Sequence, residues 1–173
     1  MRLPLLLSLL APLTTFAASA FPGPFTGAWT GHVCPLAGMN DLSRCSSFFL
    51  QLYQKNGRLC GTHLFATAGA KQMDEGGTPS ILAQLEDRSA RGEVESTRAS
   101  PAMRIPVTLL VEAGELRWQR TENPPGDYLL PRSITLTRSQ KGSMLSASFE
   151  QRLAASCSAY LDMPQDKPPP PKP

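Results

Sequence analysis

Apolar and polar residues alternate along most of this chain, and residues typical of turns separate the alternating runs. The clearest case joins residues 46–54 to residues 58–65 through Asn56-Gly57. Asn-Gly between two such runs predicts a β-hairpin with a type I′ turn, because both central residues of that turn need a positive φ. A two-residue turn also sets the register, so we expect Lys55 opposite Arg58.

That register gives the hairpin two faces, since neighbouring side chains on a strand point in opposite directions. The face predicted to point into the core carries Phe48, Leu50, Leu52, Leu59, His63 and Phe65. The other face carries Gln51, Tyr53, Lys55, Arg58, Cys60 and Thr62. Cys60 and His63 therefore cannot bind one metal ion on a regular strand. We also expect a small repulsion between Lys55 and Arg58 on an exposed edge.

Other alternating runs predict more short strands, at 26–34, 80–86, 89–97, 103–111, 115–118, 133–138 and 143–149. A two-residue turn at 113–114 would place Arg120 opposite Val107 on the inward face. Residues 150–160 allow a final strand or a short helix, and we expect the helix. Eight or nine antiparallel strands must hide their edges. The chain is thus predicted to be all-β, a small up-and-down barrel spanning residues 21–163, with a β-sandwich as the alternative.

The two ends of the chain differ from this body in composition. Residues 1–20 have a basic start, an apolar run and Ala18-Ser19-Ala20, which is the layout of a cleaved signal peptide. Residues 164–173 are mostly proline and predict a disordered polyproline II tail. The Gly-containing loop at 69–79 is the longest segment that we expect to be mobile. We therefore predict a periplasmic or secreted protein with no membrane contact after cleavage.

Four cysteines occur in this predicted exported chain, and an even number predicts two disulfides. Three pairings are possible, and we favour Cys34–Cys45 with Cys60–Cys157. The rival is a metal site that combines His32 and Cys34 with Cys60 and His63, which the opposite strand faces disfavour.

Charge and motifs exclude several functional classes. The 17 basic and 14 acidic side chains are interspersed, which is typical of a solvated surface and disfavours a nucleic-acid partner. No catalytic, phosphate-binding or cofactor motif occurs, so we expect neither a cofactor nor an enzyme. Asp74 and Glu75 are adjacent acids that we expect to be solvated in the mobile loop.

Five side chains are candidates for contacting a ligand: Trp29, His63, Trp118, Arg120 and Tyr128. An inward arginine must be paired or face water. Arg120 therefore marks either a water-filled cavity or a rim from which it reaches solvent. Tyr128 follows a turn-rich loop and is either an exposed contact or a barrel plug. His63 is either a ligand contact or a hydrogen-bonded core residue.

The mature domain opens on Phe25-Thr-Gly-Ala-Trp-Thr-Gly31. Gly27-x-Trp29 on a first strand resembles the start of lipocalins and avidin-like barrels, in which the tryptophan closes one end of the barrel. The later lipocalin motifs have no counterpart in this chain. The resemblance implies a closed barrel. The size and β-content are also similar to those of small disulfide-bonded periplasmic inhibitors and immunity proteins.

Three functions remain open after the sequence alone. The first is a monomeric, non-catalytic binding protein with a small, partly apolar ligand in its barrel. The second is a protein-binding inhibitor or immunity-type factor that acts on an envelope hydrolase or toxin through loops 35–44 and 67–79. The third is an enzyme, which would need His63 beside a serine or threonine nucleophile in a cleft.

Overall fold

The computed structural model describes residues 23–36 and 41–163. In that part of the chain the strands are β1 (Gly27–Val33), β2 (Ser46–Lys55), β3 (Arg58–Ala66), β4 (Met73–Glu75), β5 (Ile81–Glu86), β6 (Ser89–Ser96), β7 (Met103–Glu112), β8 (Glu115–Arg120) and β9 (Ser133–Arg138). One helix, α1 (Ala147–Leu161), follows them. The predicted signal peptide and proline-rich tail lie outside the described residues, as does 37–40 within the loop 35–44.

The strands form a closed antiparallel barrel, which confirms the predicted fold. Neighbours follow the order β2-β1-β9-β8-β7-β6-β5-β3, and pairing of β3 with β2 closes the ring. The remaining strand, β4, lies outside this ring. It pairs with the C-terminal part of β3, whereas β5 pairs with the N-terminal part. Residues 73–75 were predicted to lie in a mobile loop, and that prediction is wrong because they extend the sheet.

The predicted hairpin register is confirmed. Leu50 pairs with His63, and Lys55 pairs with Arg58. Asn56 and Gly57 have φ angles of 49° and 70°, as the type I′ turn requires. The predicted two-residue turn at 113–114 is also confirmed, and it places Val107 opposite Arg120.

Large side chains fill the inside of the barrel. Trp29, Phe48, Leu50 and Leu109 are 0 % exposed, and Trp118 is 1 % exposed. The rings of Phe48 and Trp118 meet edge to face with their centroids 4.9 Å apart. A side chain with no accessible surface borders neither solvent nor a void that admits water. The inward faces are therefore packed against one another around these residues.

Helix α1 covers the outer face of β3 and β2. Its apolar positions Leu153, Cys157, Tyr160 and Leu161 are buried. The disulfide Cys60–Cys157 ties it to the barrel, and the second bridge is Cys34–Cys45, so both predicted bridges are confirmed. The predicted exposed edge at Arg58 is wrong. Arg58 is 1 % exposed, because the helix end lies over it and its guanidinium stacks on Tyr160.

The predicted strand at 143–149 is also wrong, because α1 begins at Ala147. Leu145, Phe149 and Leu153 are spaced by four residues, so they fit a helical period as well as an alternating one. The Ser146 hydroxyl accepts a hydrogen bond from the Phe149 N–H and caps the helix. The helix expected within 150–160 is confirmed and is longer than predicted.

The barrel has two different ends. The hairpin end carries the tight turns at 56–57, 87–88 and 113–114. The loop end carries the longer connections at 34–45, 67–80, 97–102 and 121–132.

Candidate functional site

A buried polar cluster lies beneath the loop end of the barrel. β3 brings His63 inward, β4 brings Asp74, and Ser80 and Ser96 lie at the adjacent ends of β5 and β6. His63 Nδ1 lies 2.8 Å from Ser80 Oγ, and His63 Nε2 lies 3.6 Å from Asp74 Oδ1. The Ser96 hydroxyl donates to Asp74 Oδ1 at 2.6 Å. Each of these four residues is at most 3 % exposed.

Asp74 is the centre of this cluster, which we call the polar plug (His63, Asp74, Ser80 and Ser96). Its second carboxylate oxygen accepts the backbone N–H of Leu129 at 2.7 Å, so the plug also holds the 121–132 loop. Burial by itself raises the pKa of Asp74. Polar contacts from His63, Ser96 and the Leu129 N–H outweigh that effect, so the pKa lies below its ordinary value. The expectation that Asp74 is solvated is therefore wrong, whereas Glu75 beside it is exposed.

Ser80, His63 and Asp74 are the residue types of a hydrolase triad, and the serine lies within hydrogen-bond distance of the imidazole. Further contacts hold these side chains. Ser80 Oγ also accepts the backbone N–H of His63 at 3.1 Å, and it lies 3.4 Å from Thr62 Oγ1. All of these groups are buried, so a substrate could reach Ser80 only if the residues that cover it moved away. The arrangement ties the loop end of the barrel together.

The structure separates the five candidate ligand contacts. Trp29 lies near the hairpin end, its indole N–H donates to the carbonyl of Phe25 at 2.8 Å, and the Arg138 guanidinium lies 4.4 Å from its ring. Trp118 is in the packed core, and its indole N–H donates to the carbonyl of Pro131. His63 belongs to the polar plug.

Arg120 and Tyr128 form a pair at the loop end. Arg120 Nη1 donates to the Tyr128 hydroxyl at 2.8 Å, and its Nε donates to the carbonyl of Pro131 at 3.2 Å. The Tyr128 hydroxyl donates to the carbonyl of Pro124. Both side chains are half-buried, so the pair braces the 121–132 loop at the rim. Of the alternatives posed for Arg120, this geometry matches the rim.

Exposed apolar side chains gather at the same end. Val33, Leu36, Leu42 and Met73 are 41 %, 94 %, 60 % and 45 % exposed, and we call them the apolar rim. Val33 ends β1, and the disulfide Cys34–Cys45 holds the chain on either side of Leu36 and Leu42. Met73 lies on β4, which pairs with the last residues of β3 at the same end, and the register places Met73 on the outer face of the sheet and Val33 on the inner face.

Neither the polar plug nor the apolar rim was predicted from the sequence. Met73-Asp74-Glu75 is too short a run to indicate a strand, so nothing in the pattern brings Asp74 to His63. Part of the apolar rim could have been predicted, because Leu36 and Leu42 are apolar residues inside a segment closed by two cysteines. Apolar side chains that a short disulfide loop cannot bury are candidates for contact with another molecule.

Among residues 23–36 and 41–163, no three His, Cys, Asp or Glu side chains are grouped so that they could hold a metal ion. In the same ranges no helix has both the length and the apolarity needed to cross a membrane. The two disulfides indicate an oxidising, extracellular-type environment. No family model matches this chain, and no curated protein or solved structure proved significantly similar to it.

Proposed function

We propose that this chain is an exported, non-catalytic protein that binds another protein through the loop end of its barrel. Its partner would be an envelope hydrolase or a toxin, which it inhibits or neutralises. The observation that carries the proposal is the apolar rim, where four exposed hydrophobic side chains lie at one end of the barrel. Exposed apolar surface of this kind is typical of a site that another protein covers.

The rim is also built to keep its shape, which favours tight binding. The Cys34–Cys45 disulfide constrains one of its loops, and the turn at 42–44 contacts the turn at 68–70. Beneath them the polar plug holds β4. A surface ordered before binding loses less conformational entropy when a partner docks.

A small ligand inside the barrel has less support. The side chains expected to line its cavity, among them Trp29, Leu50 and Trp118, are buried against one another. Arg120 is engaged by Tyr128 and a carbonyl at the rim. The geometry therefore favours the protein-binding alternative over the internal-ligand hypothesis.

Capture of partners from the envelope extract of the source cells, with the mature protein as bait, tests the proposal. Leu36→Asp and Leu42→Asp place a charge on the rim. Met144→Asp is the matched control, because Met144 is 63 % exposed but lies beyond β9 on the hairpin side. Burying a leucine contributes about 1.5–3 kcal/mol. Each rim variant should therefore bind the partner at least about tenfold more weakly than wild type.

The expected result is a defined protein retained by wild type and M144D but lost by both rim variants. The activity of that protein should fall stoichiometrically when the wild type is added. Retention by all four proteins, or by none, would contradict a role for the rim. A discrete small-molecule mass on the native protein would instead support the internal-ligand hypothesis.

A further inference from the structure

The two disulfides differ in how far the fold covers them. Cys60 and Cys157 are 0 % and 1 % exposed beneath α1, so solvent does not reach that bridge in the folded protein. Cys45 is 6 % exposed, and its partner Cys34 is partly exposed where β1 ends. A thiolate reduces a disulfide by attacking one of its sulfur atoms, so the rate depends on access to that atom. Of the four cysteines, Cys34 is therefore the one that a reductant reaches most easily.

The Cys34–Cys45 bridge lies where the barrel meets the apolar rim. Val33 pairs with Ser46 in the β1–β2 ladder, and the bridge joins the residue after Val33 to the residue before Ser46, with the two Cα atoms 4.2 Å apart. Leu36 follows Cys34 by two residues and is 94 % exposed. Little packing holds a side chain that is so exposed, so the bridge is the nearby anchor for this part of the rim.

The chain on the other side of the bridge is held by its own turn. Asp41 Oδ1 accepts the Ser43 N–H at 3.1 Å and the Ser43 hydroxyl at 2.6 Å. The Cys45 N–H donates to the carbonyl of Leu42 at 3.1 Å, and Cys45 Sγ lies 3.5 Å from the carbonyl oxygen of Asp41. Opening the bridge therefore releases Leu36 more than Leu42, and the Cys45 thiol that forms has an acceptor in place.

We propose that the Cys34–Cys45 bridge is a redox switch for the apolar rim, which a dithiol reductant opens while Cys60–Cys157 stays closed. This switch rests on the proposed function, since it regulates the same surface. With the bridge closed, the rim is ordered before a partner arrives. With the bridge open, the segment around Leu36 has to be ordered during binding, which lowers the affinity for the partner.

The chemistry of the switch is thiol–disulfide exchange in two steps. A thiolate of the reductant attacks Cys34 Sγ and forms a mixed disulfide, while Cys45 Sγ leaves as a thiolate. The second thiolate of the reductant then attacks the reductant's own sulfur in the mixed disulfide and releases Cys34. Two electrons and the two protons of the dithiol end on Cys34 and Cys45, and the reductant leaves as a disulfide.

Graded reduction of the oxidised mature protein with dithiothreitol tests the selectivity of the switch. Alkylation and peptide mass mapping then show which cysteines have become free thiols. Cys34 and Cys45 should be labelled at least about tenfold faster than Cys60 and Cys157, because the covered bridge opens only when α1 comes away. Equal rates for the two bridges, or faster opening of Cys60–Cys157, would overturn the proposal.

NMR relaxation reports the order of the rim without a partner. Opening the bridge should lower the backbone order parameter at Leu36, whereas Leu50 and Leu109 in the barrel should keep theirs. An unchanged order parameter at Leu36 in protein whose Cys34–Cys45 bridge is open would overturn the proposal.

Affinity for the captured partner is measured after the dithiothreitol has been removed under nitrogen. Opening the bridge should weaken binding about tenfold, and reoxidation should restore it. The double variant Cys34→Ser, Cys45→Ser should bind as weakly as the opened wild type and should not respond to dithiothreitol. Cys60→Ser, Cys157→Ser is the matched control, which should still lose affinity on reduction; if it does not fold, reoxidation of the wild type supplies the decisive comparison.

The two proposals fail in different ways. Unchanged affinity with the bridge open would overturn the switch and leave the proposed function standing. Capture of no partner by the oxidised wild type would contradict the proposed function, and the labelling and relaxation measurements would still decide whether the bridge opens selectively and releases the rim.

Discussion

Replacing Asp74 tests how the loop end is held. Asp74→Ala removes the acceptor for both the Ser96 hydroxyl and the Leu129 N–H and leaves His63 beside an empty space. Asp74→Asn keeps the shape but offers one acceptor oxygen where the carboxylate has two. The Leu129 N–H cannot turn away, whereas the Ser96 hydroxyl can rotate to accept from the new amide.

The expected cost follows from these contacts. Hydrogen bonds to a charged group contribute about 1.5–3 kcal/mol each, and a buried donor that loses its partner pays its own desolvation cost. Two such bonds end on Asp74, so D74A should lower the free energy of unfolding by about 3–6 kcal/mol. D74N keeps one good acceptor and should lower it by about 1.5–3 kcal/mol.

Urea unfolding followed by tryptophan fluorescence measures both values, since Trp29 and Trp118 are buried in the core. The pH dependence of the free energy of unfolding is a more specific test than its value at one pH. The pKa of Asp74 is lowered in the folded state, so its charge stabilises the protein above the ordinary value of 3.8. That stabilisation is lost as the pH falls through the lower folded pKa. The difference in free energy of unfolding between wild type and D74N should therefore narrow there. A gap below about 1 kcal/mol at pH 7, or one that stays constant into strong acid, would refute this account of the polar plug.

Two other predictions concern the disulfides and the buried serine. Cys60–Cys157 closes a loop of 97 residues and Cys34–Cys45 closes one of 11. Loop-closure entropy therefore predicts that the free energy of unfolding falls by about 4.7 and 2.8 kcal/mol, respectively, when each pair is changed to alanine. Equal losses in urea unfolding would contradict this ranking. Ser80 is 3 % exposed, so a fluorophosphonate probe should label native wild type no more than Ser80→Ala. Labelling that depends on Ser80 would favour the enzyme hypothesis.

Much of the barrel was predictable because its rules are local. Asn56-Gly57 specifies a turn by its φ angles, and strand alternation then assigns His63 to the inner face and Cys60 to the outer one. The favoured pairing Cys60–Cys157 agrees with that assignment, because a covering C-terminal segment can reach an outward Cys60. Local rules failed at 143–149, because apolar residues that are spaced four positions apart fit both a strand and a helix.

The candidate sites were decided by tertiary structure. Sequence alone determined the strand faces, the turns, the register of two hairpins and an oxidising environment, all of which depend on neighbouring residues and cysteine count. Pairing of β4 with β3 decided the rest, because it brings Asp74 to His63 and places Met73 at the loop end of the barrel. Packing between elements also decides exposure, since α1 buries Arg58 while Val33 at the end of β1 stays exposed. Alternation says which way a side chain points, but only the packed neighbours determine whether anything covers it.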